Sequence, residues 1–126
     1  GTVTGLARYL KLKKPDIKVI AVEPKDSAVL SGNDAGPHMI QGIGAGFIPT
    51  NCDTSLIDEI ICIENTQAIQ MAKQLAIQEG ILVGISAGAN VFAALQCAKQ
   101  ERFKGNNIIT ILCDVGERYL STNLMT

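Results

Sequence analysis

The sequence holds a single histidine, His38, and no two cysteines at Cys-x-x-Cys spacing. A structural zinc site therefore lacks ligands at usable spacing, and no metal centre is expected. No apolar run approaches the ~20 residues of a membrane-spanning helix, and no charged-then-apolar leader opens the chain. Net charge is also nearly absent: 11 basic and 12 acidic side chains leave −1, no electrostatic handle for nucleic acid or an anionic membrane. There is no initiating methionine. Gly1-Thr2 runs straight into a helical pattern without an entry strand, so the expectation is a continuation of something longer.

What is present is globular. Hydrophobic residues make up 47% of 126, enough for one modest domain with a buried core. Cys62 and Cys113 sit in strand-like apolar runs and Cys97 in a helical one, where cysteine packs as a small hydrophobe. With Cys52 they are expected as reduced thiols in the cytoplasm.

Periodicity alternates between the two classes of element. Val3, Leu6, Ala7 and Leu10 mark one face of a helix capped by Thr2 or Thr4 and stopped by Pro15. Ile17 to Glu23 reads as a strand closed by Pro24, and Ser27 to Leu30 as one helical turn. From Ser31 to Asn51 the chain is a long loop rich in glycine and proline, a length that usually signals function or disorder. Leu56 to Ile63 reads as a second strand. Asn65 or Thr66 then caps a helix that Gly80 ends. Ile81 to Val83 is a short extended run, and the turn after it opens a helix to about Gln100. Asn107 to Cys113 is a continuous apolar strand of the kind covered on both sheet faces, and Glu117 to Leu120 is a final helical turn. Alternation of this sort predicts an α/β fold in three layers: a mostly parallel β-sheet with helices on both faces. Its ligands belong beyond the C-terminal strand ends.

Four stretches carry polar chemistry. Gly84-Ile85-Ser86-Ala87-Gly88 matches the Gly-x-Ser-x-Gly turn that exposes a nucleophilic serine in α/β hydrolases. That chemistry needs a histidine after the serine in chain order, whereas His38 precedes it. A plainer reading makes Ser86 the cap of the following helix. The glycines of Gln41-Gly42-Ile43-Gly44-Ala45-Gly46-Phe47-Ile48-Pro49 resemble a dinucleotide fingerprint, but no strand precedes them and no helix follows. What remains is a backbone able to approach a ligand closely, or a mobile loop. Gly1-Thr2-x-Thr4 at a helix start offers amides and hydroxyls to an anion such as phosphate, or is only a capping sequence. Glu117-Arg118 near the end reads as a surface pair.

Taken together, Gly1-Thr2-Val3-Thr4-Gly5, Val22-Glu23-Pro24, Ser27 to Gly32, His38 to Pro49, Asp53 to Glu59, Gly80 to Gly88 and Gly116 to Thr122 stand in a familiar order. The chain resembles the cysteine synthase (O-acetylserine sulfhydrylase) family of fold type II pyridoxal-phosphate enzymes over essentially all 126 residues. The resemblance implies that residues 1–126 are the C-terminal, cofactor-binding part of the large domain. It implies that Gly1 and Thr2 end a loop holding the phosphate of pyridoxal 5'-phosphate, and that Ser86 hydrogen-bonds the pyridine nitrogen. Gly42, Gly44, Ala45 and Gly46 would line a moving substrate entrance.

The Schiff-base lysine and the loop gripping the substrate carboxylate would lie upstream, so no catalytic residue is expected in this chain and the fragment alone is expected to be inactive. The implied reaction of the complete protein is β-replacement: O-acetylserine and sulfide give cysteine and acetate. Implied partners are a second copy in a homodimer and the C-terminal tail of serine acetyltransferase. Alternatives are a cystathionine β-synthase-like enzyme, or a non-catalytic paralogue serving as a binding module. A serine/threonine dehydratase would lack the Gly-Glu-Arg-Tyr-Leu segment. Two departures from the family's commonest pattern are Ala87, where a second serine is usual, and Cys113-Asp114-Val115 before the Gly-Glu-Arg motif. The role of Asp114 near the pyridine is left open by sequence.

Overall fold

Helix α1 (Thr2–Lys13) begins the chain in a computed structural model that describes residues 1–122 and Leu124. Neither threonine caps it. Gly1 occupies the cap position without a side-chain bond, and Thr2 is already helical. Thr4 turns inward instead, its Oγ1 accepting the Asp53 amide at 3.0 Å. Buried Thr4 and Ala7 therefore seat α1, while Leu6, expected on the apolar face, is left exposed. Lys14 leaves the helix in an extended conformation just before Pro15, as a following proline requires.

Strand β1 (Ile20–Pro24) pairs in parallel with β2 (Glu59–Ile63), Ile20 opposite Glu59 and Pro24 opposite Ile63. Both strands are shorter than the hydrophobic runs. The Ile17 amide closes a turn onto Lys14 O. Asp53 caps a 3₁₀ turn at Thr54–Leu56 by accepting from Ser55 N and Oγ, which delays β2 past Leu56. Between them Asp58 staples the strand entrance. Its Oδ2 accepts from Lys11 Nζ and from Val19 N, each at 2.7 Å.

Those two bonds, the lysine's first, hold the Asp58 carboxyl below the ordinary aspartate range. A folded-state value below the unfolded one stabilises fully above the unfolded range and is lost as pH falls through the folded value. Wild-type protein is thus expected to lose its advantage over Asp58→Asn as pH drops below about 4. Urea midpoints of both proteins at pH 6 and pH 3 check this; an unchanged difference would contradict it.

Helix α2 (Asn65–Glu79) is capped by Glu64, not by Asn65 or Thr66. The Glu64 amide donates to Gln67 Oε1 at 3.0 Å, half of a reciprocal box. Gly80 ends the helix at φ 69, and the Ile81 amide returns to Leu75 O at 3.1 Å, as a left-handed terminus allows. Helix α3 (Ile85–Ala98) lies along α2 on a seam of small residues. Ala68, Ala72, Ala89 and Ala93 are buried there, and Gly88 faces the α2 backbone. Ile40, Ile63, Val83, Ile85 and Tyr119 complete the core.

The remaining expectations hold in part. The α/β class and parallel pairing stand, with two strands in the sheet among the described residues. The Asn107–Cys113 run forms no ladder there, and Ile109 is exposed. An apolar run pleats into a sheet only where a neighbouring strand offers its backbone, and among the described residues none does. Val83 makes an isolated antiparallel bridge with Val115. The helical turn expected at Ser27–Leu30 lies earlier, at Lys25–Ser27, and the last one spans Gly116–Tyr119. All four cysteines are free, with Cys97 buried but Cys113 exposed. No described helix is long and apolar enough to cross a membrane.

Candidate functional site

Gly84 caps α3, which places Ser86 second in the helix rather than at its cap. The first amides of a helix have no partner within it, so this turn presents a positive dipole end together with a hydroxyl. Ser86 is buried, and so are its neighbours from Val83 to Ala89. Both glycines of the Gly-x-Ser-x-Gly pattern answer to packing. A Cβ on Gly84 would overlap Asp114 Oδ1 and come within 2.7 Å of Tyr119 Cε2. One on Gly88 would overlap Ala68 O.

The long loop folds onto this turn. Gly42, at φ 97, lies over Ser86 such that a Cβ there would stand 3.6 Å from Ser86 Oγ. That space beside the hydroxyl exists because the loop residue is glycine, a cradle that any side chain would begin to fill. His38 sets the loop's shape. Its Nδ1 accepts the Ile40 amide at 3.1 Å, so its Nε2 carries the proton and donates to Gly44 O at 2.8 Å. With both ring nitrogens committed to backbone, His38 is no general base for Ser86, a second reason against hydrolase chemistry.

Gly44, at φ 64, packs so tightly that a Cβ would approach His38 Nε2 to 2.7 Å and the Pro24 ring to 2.5 Å. Gly44→Ala is accordingly expected to break the His38 bond and free the loop, adding about 1 kcal/mol of backbone strain. Limited proteolysis between His38 and Pro49 should speed up; unchanged cleavage would contradict the clasp.

Two anchors were not foreseen. Asn65, expected as a helix cap, bridges Asp26 Oδ2 and the Met39 amide, each at 2.8 Å, and so roots the loop on α2. Glu23 is a buried carboxylate whose oxygens accept the Leu30 and Ser31 amides at 2.9 Å and the Ser31 hydroxyl at 2.5 Å. An acid at the end of a β-branched run was the available signal, since a carboxylate buried there must find donors.

Of the candidate residues, Gly42 is therefore brought to Ser86, while Gly44 packs against His38 and Pro24. Ala45 and Gly46 continue the loop, Gly46 at φ 82. Gly1 and Thr2 are exposed at the α1 N-terminus, where a Cβ on Gly1 would lie 3.9 Å from Asn51 Nδ2. Lys11 is paired with Asp58 and Lys25 with Glu64. Asp114 accepts the Tyr119 hydroxyl at Oδ2, while its Oδ1 is buried without a partner among the described residues. That hydrogen bond, with burial and the carboxylate's charge, pushes the Tyr119 phenol up from its ordinary value. Two surface hollows, by Ile57–Ile60 and by Asp26–Asn65, lie away from Ser86.

Residues 1–114 match the family model of the pyridoxal-phosphate dependent enzymes. The chain belongs to that family. Among its members, cysteine synthase 3 of Caenorhabditis elegans is 52% identical over 98% of this chain and 37% of its own length. Cysteine synthase of Staphylococcus aureus is 49% identical over 98% of this chain and 40% of its own. The crystal structure of cysteine synthase from Entamoeba histolytica superposes with a TM-score of 0.96 at 50% identity, over 98% of this chain and 36% of that one. The chain thus spans about two-fifths of the length of the curated relatives it matches. The Gly84-x-Ser86-x-Gly88 turn thus lies within the part of the chain that matches the pyridoxal-phosphate dependent enzyme family.

Proposed function

We propose that the complete protein containing this chain is a cysteine synthase, converting O-acetylserine and sulfide to cysteine and acetate with pyridoxal 5'-phosphate. The observation that carries this reading is the glycine loop clasped over Ser86 at the start of α3, in a chain about half identical to cysteine synthases. The residues fit the cofactor. Gly42 leaves space beside Ser86 Oγ, and the α1 N-terminus offers amides to a phosphate, which helix starts bind through their N–H groups and dipole. When bound, the cofactor supplies the electron sink for chemistry at the amino acid's α-carbon.

In this reading the protein's own residues hold and orient. Ser86 Oγ would offer the pyridine nitrogen a neutral hydrogen-bonding hydroxyl. Gly1 and Thr2 fix the phosphate. Gly42, Gly44, Ala45 and Gly46 border the substrate entrance, and His38 sets their conformation through Gly44 O. The lysine that binds the cofactor lies outside these 126 residues, so the fragment alone is inactive. We further infer a homodimer, a cleft open to the serine acetyltransferase tail, and a cytoplasmic setting, the last supported by four free thiols.

The test uses full-length protein stripped of pyridoxal phosphate and then resupplied. Cysteine formation from O-acetylserine and sulfide should vanish and return with the cofactor. Cofactor binding without cysteine formation would favour the non-catalytic or cystathionine β-synthase-like alternatives and overturn this reading.

A further inference from the structure

Ser86 belongs to the first turn of α3, which Gly88 N closes by donating to Gly84 O at 3.2 Å. The first amides of α3 have no intrahelical acceptors, so the direction of this turn depends on what lies outside it. The segment after the Asn107–Cys113 run supplies that support. Gly84 N donates to Asp114 O at 3.0 Å, Gly116 N donates to Leu82 O at 3.2 Å, and Val83 bridges Val115 between them. Contact is close on both sides: a Cβ on Gly116 would come within 2.8 Å of the Leu82 side chain and 2.9 Å of Val83 O.

From this strap the Asp114 side chain turns under Gly84, with Oδ1 where a Gly84 Cβ would go and Oδ2 taking the Tyr119 hydroxyl. Tyr119 is itself in the core, its ring edge beneath Gly84. The carboxylate stands at the positive end of a 14-residue helix, which favours its charge.

Sequence left open whether Asp114 touches a ligand or acts through the backbone. Burial decides. Asp114 Oδ1 is inaccessible and has no partner among the described residues, whereas Gly42, beside the Ser86 hydroxyl, is exposed. Oδ1 is sealed by Gly84.

We propose that Asp114 and Tyr119 are positioning residues for Ser86. Their hydrogen bond braces the Gly84 turn from below and fixes the direction in which the Ser86 hydroxyl points. This inference rests on the cofactor role given to Ser86 above. The raised Tyr119 phenol agrees with the pairing.

The test is a mutant cycle in full-length protein loaded with pyridoxal phosphate, using Tyr119→Phe, Ser86→Ala and the double variant. Phenylalanine keeps the ring in the core and removes only the donor. Tyr119→Phe should lower kcat about tenfold with KM nearly unchanged, and should shift cofactor fluorescence in the same direction as Ser86→Ala. Added to Ser86→Ala it should do little more, because residues acting through one group are not additive. Asp114→Asn, which keeps an acceptor for the phenol, should retain most activity, whereas Asp114→Ala should behave as Tyr119→Phe.

Multiplicative effects, or a lowered Tm with kcat and fluorescence unchanged, would overturn the brace. The alkaline titration of Tyr119, read as the ultraviolet difference between wild type and Tyr119→Phe, separates the two ideas. If Asp114→Ala leaves that titration in place, the pairing itself is wrong. If Asp114→Ala moves it but the wild type binds no cofactor, the pair stands, while the function reading and the assigned role of the brace both fall.

Discussion

Gly88→Ala is expected to cost the protein roughly 3 kcal/mol, the top of the usual overpacking range, and to be the most damaging single methyl group in the α2–α3 seam. The added Cβ would overlap Ala68 O and lie 2.8 Å from Ala72 N and 3.0 Å from Ala72 Cβ. Two of these are backbone atoms of a neighbouring helix, which cannot swing aside as a side-chain tip can. Alanine's better helix propensity returns only about 1 kcal/mol. Because domains hold about 5–15 kcal/mol in total, the loss should show as a large drop in the urea midpoint and in soluble yield. Gly5→Ala is the control. Gly5 sits in α1 with nothing within 4 Å of its Cβ position, so the same methyl should stabilise by about 0.5–1 kcal/mol. Equal effects at the two sites would show that the seam is not backbone-close.

Ser86→Ala is expected to leave fold and cofactor content near wild type in the full-length protein while lowering kcat roughly 10- to 100-fold. One buried hydrogen bond to a reacting system is worth a few kcal/mol at most, and each 1.4 kcal/mol is tenfold in rate. Ser86 is buried among Val83 to Ala89, so alanine fits the space and only the hydroxyl is lost. A fall in kcat with KM little changed would mark an interaction made during the chemical steps. Unchanged kcat would remove Ser86 from the cofactor site, and a covalent acyl-serine trapped on the wild type would restore the hydrolase reading.

The three long helices and the parallel pairing of β1 with β2 were legible because apolar spacing and end signals agree over many residues. The misread positions share one physical cause. Thr4, Asn65 and Asp53 are polar residues with several possible uses, and tertiary contacts decided among them. Thr4 serves the Asp53 amide, Asn65 ties Met39 to Asp26, and Asp53 caps a turn that takes Leu56 out of the expected strand. The run at Asn107–Cys113 is strand-like in composition, but a strand is a relation between two segments, and the second is not among the described residues.

At the site, Ser86 and the glycine loop stood out because small residues around one hydroxyl are uncommon without a reason. That Gly42 lies over Ser86, and that His38 faces Gly44 O and not the serine, depended on how the loop folds back. Tyr119 was read as part of a surface turn. Its place beneath Gly84, held by Asp114, joins residues too far apart in sequence for any local pattern to pair them.

The most direct test of the central claim is a crystal structure of the full-length protein with pyridoxal phosphate bound. The predicted result is Ser86 Oγ within about 3 Å of the pyridine nitrogen, a hydrogen-bond distance, with the phosphate at the Gly1-Thr2 start of α1 and Gly42 beside the ring. A cofactor whose nitrogen meets another group, with Ser86 turned away from it, would contradict the account.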